Sequence, residues 1–219
     1  EGAVYDITGS QTNVGSSENE FTYTLNENTQ ARNYNIGTVN GTLTITAASI
    51  EGEDFTVSQP ADTMYNGEAQ AQDVTVTRGD VTLVENTDYT VEYSDDVTNA
   101  GTVTVTITGI GNYSGEVNKT YNITVRNVTM TSATASKVYD GDALTRNAQT
   151  DVAVTGDGFV NGEGAVYSIT GSQTNVGSSA NTFTYTLITG TNAVNYEIAQ
   201  PTFGTKLRSE ERRVGKECR

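Results

Sequence analysis

Residues 102–109 read TVTVTITG. Val103, Val105 and Ile107 occupy alternate positions with threonines between them. A period of two puts the apolar set on one face of an extended strand and the threonines on the other. The same alternation appears in FTYTL at residues 21–25 and again at 183–187. Further strands are expected at 41–46, 73–77, 89–93, 121–125, 128–131 and 151–155, each bounded by Gly, Asn or Asp turn signals. No apolar stripe of helical period is present, and residues 158–164 allow one helical turn at most. The expected fold class is all-β.

Working outward, the chain repeats itself. Residues 1–17, EGAVYDITGSQTNVGSS, return as EGAVYSITGSQTNVGSS at 163–179, and only Asp6 and Ser168 differ. The likeness continues through Phe21, Tyr23 and Leu25 with Phe183, Tyr185 and Leu187, then Asn33-Tyr34 with Asn195-Tyr196. The middle follows the same scheme more distantly. Tyr65-Asn66-Gly67-Glu68-Ala69 parallels Tyr139-Asp140-Gly141-Asp142-Ala143, and Thr98-Asn99-Ala100-Gly101 parallels Thr12-Asn13-Val14-Gly15 and Thr174-Asn175-Val176-Gly177. The expected organisation is the C-terminal part of a truncated repeat at 1–47, a second repeat at 48–126 and a third at 127–207. No Gly/Ser-rich or Pro-rich spacer separates them, so a linear array of coupled neighbours is expected.

The chain has 219 residues, with 27 acids against 12 bases. Such an acidic chain repels nucleic acid and anionic lipid, and no stretch approaches the roughly 20 apolar residues of a membrane span. Neither is expected as a partner. Histidine is absent, which removes the commonest general base and metal ligand. No signal-peptide pattern is visible at the start.

The last twelve residues, RSEERRVGKECR at 208–219, match in frame the translation of a common short-read sequencing adapter. They are expected to be non-native, and they include the only cysteine, Cys218. Setting them aside removes five bases and three acids and leaves a more acidic chain without a thiol.

Lys137-Val138-Tyr139-Asp140-Gly141 followed by Ala143-Leu144-Thr145, with residues 171–177 GSQTNVG and the later Asn195-Tyr196-Glu197-Ile198, resembles the YDG/MBG-type repeats of bacterial surface adhesins. Residues 1–46 resemble the back half of such a repeat. The middle unit, with Asp88-Tyr89-Thr90-Val91 and Gly111-Asn112-Tyr113-Ser114-Gly115, is similar to related Ig-like surface repeats carrying a Gly-Asn-Tyr-Ser/Thr-Gly signature. The resemblance implies small Ig-like β-sandwich modules in a linear array at the extracellular bacterial surface, with no catalytic residue. A β-grasp-like sheet with one short helix is the alternative for the YDG-type units.

Asp140 and Asp142 are calcium candidates, but they lack the fixed acid spacing and closing Glu of an EF-hand loop, so a turn is the expected role. The Thr-Asn-Val/Ala-Gly motif is expected to be a tight turn, with a shared ligand loop as its functional alternative. Tyr5, Tyr23 and Tyr34, like their partners Tyr167, Tyr185 and Tyr196, are expected to pack in cores. Tyr89, Tyr93 and Tyr113 are left as candidates for an exposed sugar-stacking platform. An isopeptide link from Lys137 has no supporting spacing. No catalytic or cofactor residue is expected. The expected function is a spacer or stalk whose partners are neighbouring repeats, the alternative being adhesion to a host glycan or protein.

Overall fold

The computed structural model describes residues 1–94, 96–204 and 207–210. The reading of residues 211–219 as adapter-derived lies outside the described residues. The fold is nearly all β, in small sheets of two to four strands. Among the described residues the only helical elements are single 3₁₀ turns at Ala31–Asn33, Gln149–Asp151 and Ala193–Asn195. The chain forms two compact units. One comprises Glu1–Pro60, Gln72–Ser94 and Thr104–Thr120; the other comprises Ala61–Ala71, Asp95–Val103 and the chain from Tyr121 onward.

In the first unit, Ala3–Ile7 pairs antiparallel with Phe21–Leu25, placing Tyr5 opposite Tyr23. Gly15–Asn19 pairs antiparallel with Gly41–Ile45, Ser17 facing Leu43. Tyr89–Tyr93 runs antiparallel to the strand Gly101–Gly109, with Val91 opposite Ile107. Val105 and Ile107 are fully buried, as their alternation predicts, and close a core with Ile50, Val74, Val76, Leu83 and Tyr89. Burying each such aliphatic side chain contributes about 1.5–3 kcal/mol before the entropy cost of folding. The threonines between them are half-buried rather than fully solvated. One of them, Thr106, donates its hydroxyl to Asn118 Oδ1 at 2.8 Å. The strand expected at 73–77 is found instead at Val76–Arg78.

In the second unit, Arg126–Ser132 is a central strand, antiparallel to Val152–Gly156 and parallel to Tyr196–Ile198. Ala165–Ile169 and Phe183–Leu187 repeat the register of the first hairpin, Tyr167 opposite Tyr185. Val128, Met130, Val152, Phe183 and Tyr196 are buried here, together with Tyr65, Val103, Tyr121 and Ile123. Asn181 is buried too, and its amide donates to the carbonyls of Ala133 and Arg146 at 3.1 Å each. Those bonds tie two loops to the hairpin. The strand expected at 121–125 is longer, Glu116–Thr124, and only Val125 separates its end from Arg126–Ser132.

Leu207–Glu210 forms a further strand. Three residues assigned to the non-native tail extend a strand that lies parallel to Ala135–Val138 and antiparallel to Gly177–Ser179. Strand pairing is made by backbone N–H and C=O groups, which every non-proline residue supplies. The slot is the one that Gly41–Ile45 fills beside Gly15–Asn19.

Candidate functional site

Asp140 lies in the loop after Ala135–Val138, where Gly141 takes a positive φ of 93° that favours glycine. Its Oδ1 accepts from Lys137 Nζ at 2.6 Å and from the Asp142 backbone N–H at 3.0 Å. The Lys137 hydrogen bond, followed by that of Asp142, holds the Asp140 carboxyl below the usual carboxylate range. The arrangement is a closed acidic turn with one oxygen already engaged twice. Among the described residues, no three or more His, Cys, Asp or Glu side chains gather as a metal-holding group.

None of the three tyrosines considered for an exposed platform is fully exposed. Tyr89 is 3 % exposed, and its hydroxyl donates to the Val74 carbonyl at 3.3 Å. It faces inward because it starts the strand whose alternate residues line the core. Tyr93 is half-buried and donates to the Gln72 carbonyl at 2.7 Å. Tyr113 is half-buried against Phe55, ring centroids 5.9 Å apart and nearly perpendicular.

The tyrosines expected in cores divide by repeat. Tyr196 is buried, whereas Tyr5, Tyr23 and Tyr34 are exposed, Tyr5 by 64 %. Their hairpin has the same register as its counterpart, but among the described residues no strand pairs with residues 34–36 as Arg126–Ser132 pairs with Tyr196–Ile198. The open face carries a cavity of about 430 Å³ lined by Tyr5, Phe21, Tyr23, Leu25, Tyr34 and Ile36, among others.

The residues that sequence reasoning missed lie in the second unit. Glu163 accepts from Tyr65 OH at 2.5 Å and from Tyr196 OH at 2.9 Å. The two rings meet edge to face at 5.8 Å, and Phe159 packs on Tyr196 at 4.9 Å. Burial pushes the Tyr196 phenol up to about 12, the Glu163 carboxylate adding to the rise. Burial likewise raises Tyr65. Both phenols therefore stay protonated near neutral pH and act as donors to one carboxylate, a strut rather than a proton relay.

Arg126 reinforces the same place. Its Nε donates to the Gly158 carbonyl at 2.9 Å, and its two terminal nitrogens donate to the carbonyls of Tyr65 and Asp157. Gly67, at φ 86°, lies so close that a Cβ there would come within 2.8 Å of Val160 Cγ1. Residues 65–67 and 158–163 lie far apart in the chain but in the same compact unit, so this cluster joins two distant segments. One signal was available in the sequence. Glu1 and Tyr34 recur as Glu163 and Tyr196, both pairs 33 residues apart, and Tyr34 OH also donates to Glu1.

Among the described residues, no helix is long and apolar enough to cross a membrane. No family model matches the chain, and neither the curated proteins nor the solved structures compared with it give a match.

Proposed function

We propose that the chain is a run of non-catalytic spacer repeats, each a small Ig-like sandwich, from a secreted protein displayed on a bacterial surface. The observation that carries this reading is the junction at Val125. One strand ends at Thr124 and the next repeat's central strand begins at Arg126. The Glu163 strut and the Arg126 fork bridge the same two repeats. A junction of one residue with side chains tied across it resists bending, which is what a spacer must do. The resemblance to YDG/MBG-type repeats supplies the bacterial surface setting.

Small-angle X-ray scattering tests the spacer. A compact globule of this length has a radius of gyration of about 17 Å. The expected value is clearly larger, with an elongated distance distribution, and a value near the globular one overturns the reading.

The second reading, adhesion to a host glycan or protein, draws on the open aromatic face around Tyr5 and Tyr34. Phe183 and Tyr196, the counterparts of Phe21 and Tyr34 on that face, are buried in the last repeat, which favours an uncovered core over a binding platform. A glycan-array screen of the chain checks this, and specific binding lost in Tyr5→Ala restores the adhesive reading.

A further inference from the structure

Two motifs recur in every repeat, the Thr-Asn-Val/Ala-Gly turn and the Asn-Tyr pair. In two places the structure brings a turn from one repeat onto an Asn-Tyr pair of the next. In the first unit, the Val14 backbone N–H donates to Asn112 Oδ1 at 2.8 Å, and Asn112 Nδ2 donates to Asn13 Oδ1 at 3.1 Å. In the second unit, the Ala100 N–H donates to Asn195 Oδ1 at 2.7 Å, and Asn195 Nδ2 donates to Asn99 Oδ1 at 2.8 Å. The atoms, directions and motif positions are the same. We propose that this pair of hydrogen bonds is the recognition element by which each repeat engages the repeat that follows it.

The chemistry leaves one arrangement. A backbone N–H is a donor only, so the amide atom facing Val14 or Ala100 must be oxygen. The Asn112 or Asn195 nitrogen then points at the turn's own Asn, which must present its oxygen. At the second clasp that orientation is fixed in advance. Asn99 Nδ2 donates to Asp96 Oδ2 at 2.9 Å, while Asp96 Oδ1 accepts the Thr98 and Asn99 N–H groups at 2.9 and 2.8 Å. At the first and third turns a glutamine braces the backbone instead, Gln11 and Gln173 each donating to the carbonyl of the turn Asn at 2.7 Å. An Asn with two donors and an acceptor satisfies both needs. Asp lacks the donors, and Gln is one methylene too long.

Each end of the row then carries an unmatched half. Asn33 sits in the same 3₁₀ turn as Asn195 but is exposed, and Asn175-Val176 is exposed in the turn that Asn13-Val14 uses for its clasp. Among the described residues neither has a clasp partner. The occupant of the Asn175-Val176 turn is the Asn of an Asn-Tyr pair in a further repeat of the middle kind. Asn33 is the corresponding seat for a turn of the preceding kind.

This deepens the spacer reading and rests on its tandem organisation. The test is amide hydrogen exchange by NMR on the full chain. Asn112 is exposed, and its backbone carbonyl, which holds the Ala48 N–H at 3.1 Å, survives substitution. Asn112→Ala is therefore expected to lower protection of the Val14 amide about two- to tenfold while the Val105 and Ile107 amides stay as they were. Asn112→Asp, which keeps the acceptor and loses the donor, is expected to fall between. Asn195→Ala is expected to expose the Ala100 amide by more, because that clasp is buried. Should Asn195→Ala unfold its repeat, Asn99→Ala supplies the same reading from the other side.

The open half is tested by replacing residues 210–219 with a copy of residues 46–126. The pairing of Ser209 with Gly177, as Ile45 pairs with Gly15, sets that splice. The Val176 amide is expected to gain the protection that Val14 has. Unchanged Val14 protection in both Asn112 variants overturns the clasp. So does an unprotected Val176 beside a folded added segment. Either result with an elongated scattering profile leaves the spacer standing. A globular profile with both clasps intact removes the spacer and keeps the clasp.

Discussion

The first and last repeats hold nearly the same sequence in two different surroundings. Their hairpins agree in register, and their ring pairs agree in spacing, Tyr5 to Phe21 at 6.0 Å and Tyr167 to Phe183 at 5.9 Å. Even the tight approach of Gly9 to Asn19 is repeated by Gly171 and Asn181. Burial differs sharply: Tyr34 is 46 % exposed and Tyr196 6 %. The difference is supplied by the strands Arg126–Ser132 and Val152–Gly156, whose Val128, Met130 and Val152 close the last repeat. Local sequence therefore specifies the hairpin, and a distant strand pair decides whether its apolar face becomes a core.

The strongest way to break this comparison is a matched truncation. Phe183→Ala is expected to cost about 3–5 kcal/mol, and Phe21→Ala, at a half-buried ring, less than half of that. Urea unfolding followed by resolved NMR signals from each repeat measures both, and equal costs refute the contrast. The comparison is sharpened by converting one repeat into the other. A copy of residues 126–162 placed ahead of Glu1 recreates the sequence that precedes Glu163. It is expected to abolish binding of an apolar dye at the open face and to protect the amides of residues 34–36. Dye binding that persists beside a folded added segment counts against it.

A smaller effect is expected from Tyr196→Phe, about 1–2 kcal/mol, because the hydroxyl serves both Glu163 and the Val160 N–H. Tyr34→Phe, in the exposed copy, is expected to change stability by less than about 0.5 kcal/mol in the same denaturation experiment.

The smallest differences concern pH. Tyr196 is raised from 10.0 to about 12, so its contribution is whole below pH 10 and is lost as pH rises through 12. Asp96, Asp140 and Asp157 are held below 3.8 mainly by the hydrogen bonds of Asn99, Lys137 and Asn127 respectively. Their contributions are present above 3.8 and fade as pH falls below it. Melting of the last repeat is therefore expected to weaken at both extremes, and a flat profile between pH 10 and 12 would contradict the buried phenol.

Much of the strand pattern was legible. Residues 21–25, 89–93 and 183–187 coincide with observed strands because alternation and turn residues act over a few positions. What was not legible depended on long-range contact. Tyr89 read as a surface candidate because periodicity gives no sign of which face is covered. Tyr5 and Tyr34 read as core for the same reason. The Glu163 strut joins residues 98 apart in sequence, and nothing local marks Tyr65 as its donor. The doubled Glu-to-Tyr spacing was visible in the repeats, though its meaning needed the fold.

The slot between Ala135–Val138 and Gly177–Ser179 accepts Leu207–Glu210 by strand pairing. Strand pairing uses backbone groups that every non-proline residue supplies, so it places little demand on what is spliced in. Genes assembled by duplicating and reshuffling such units would tolerate breakpoints there without inventing a fresh closing strand. That tolerance offers a physical route by which long tandem arrays lengthen, shorten and exchange segments while each unit still seals its edge.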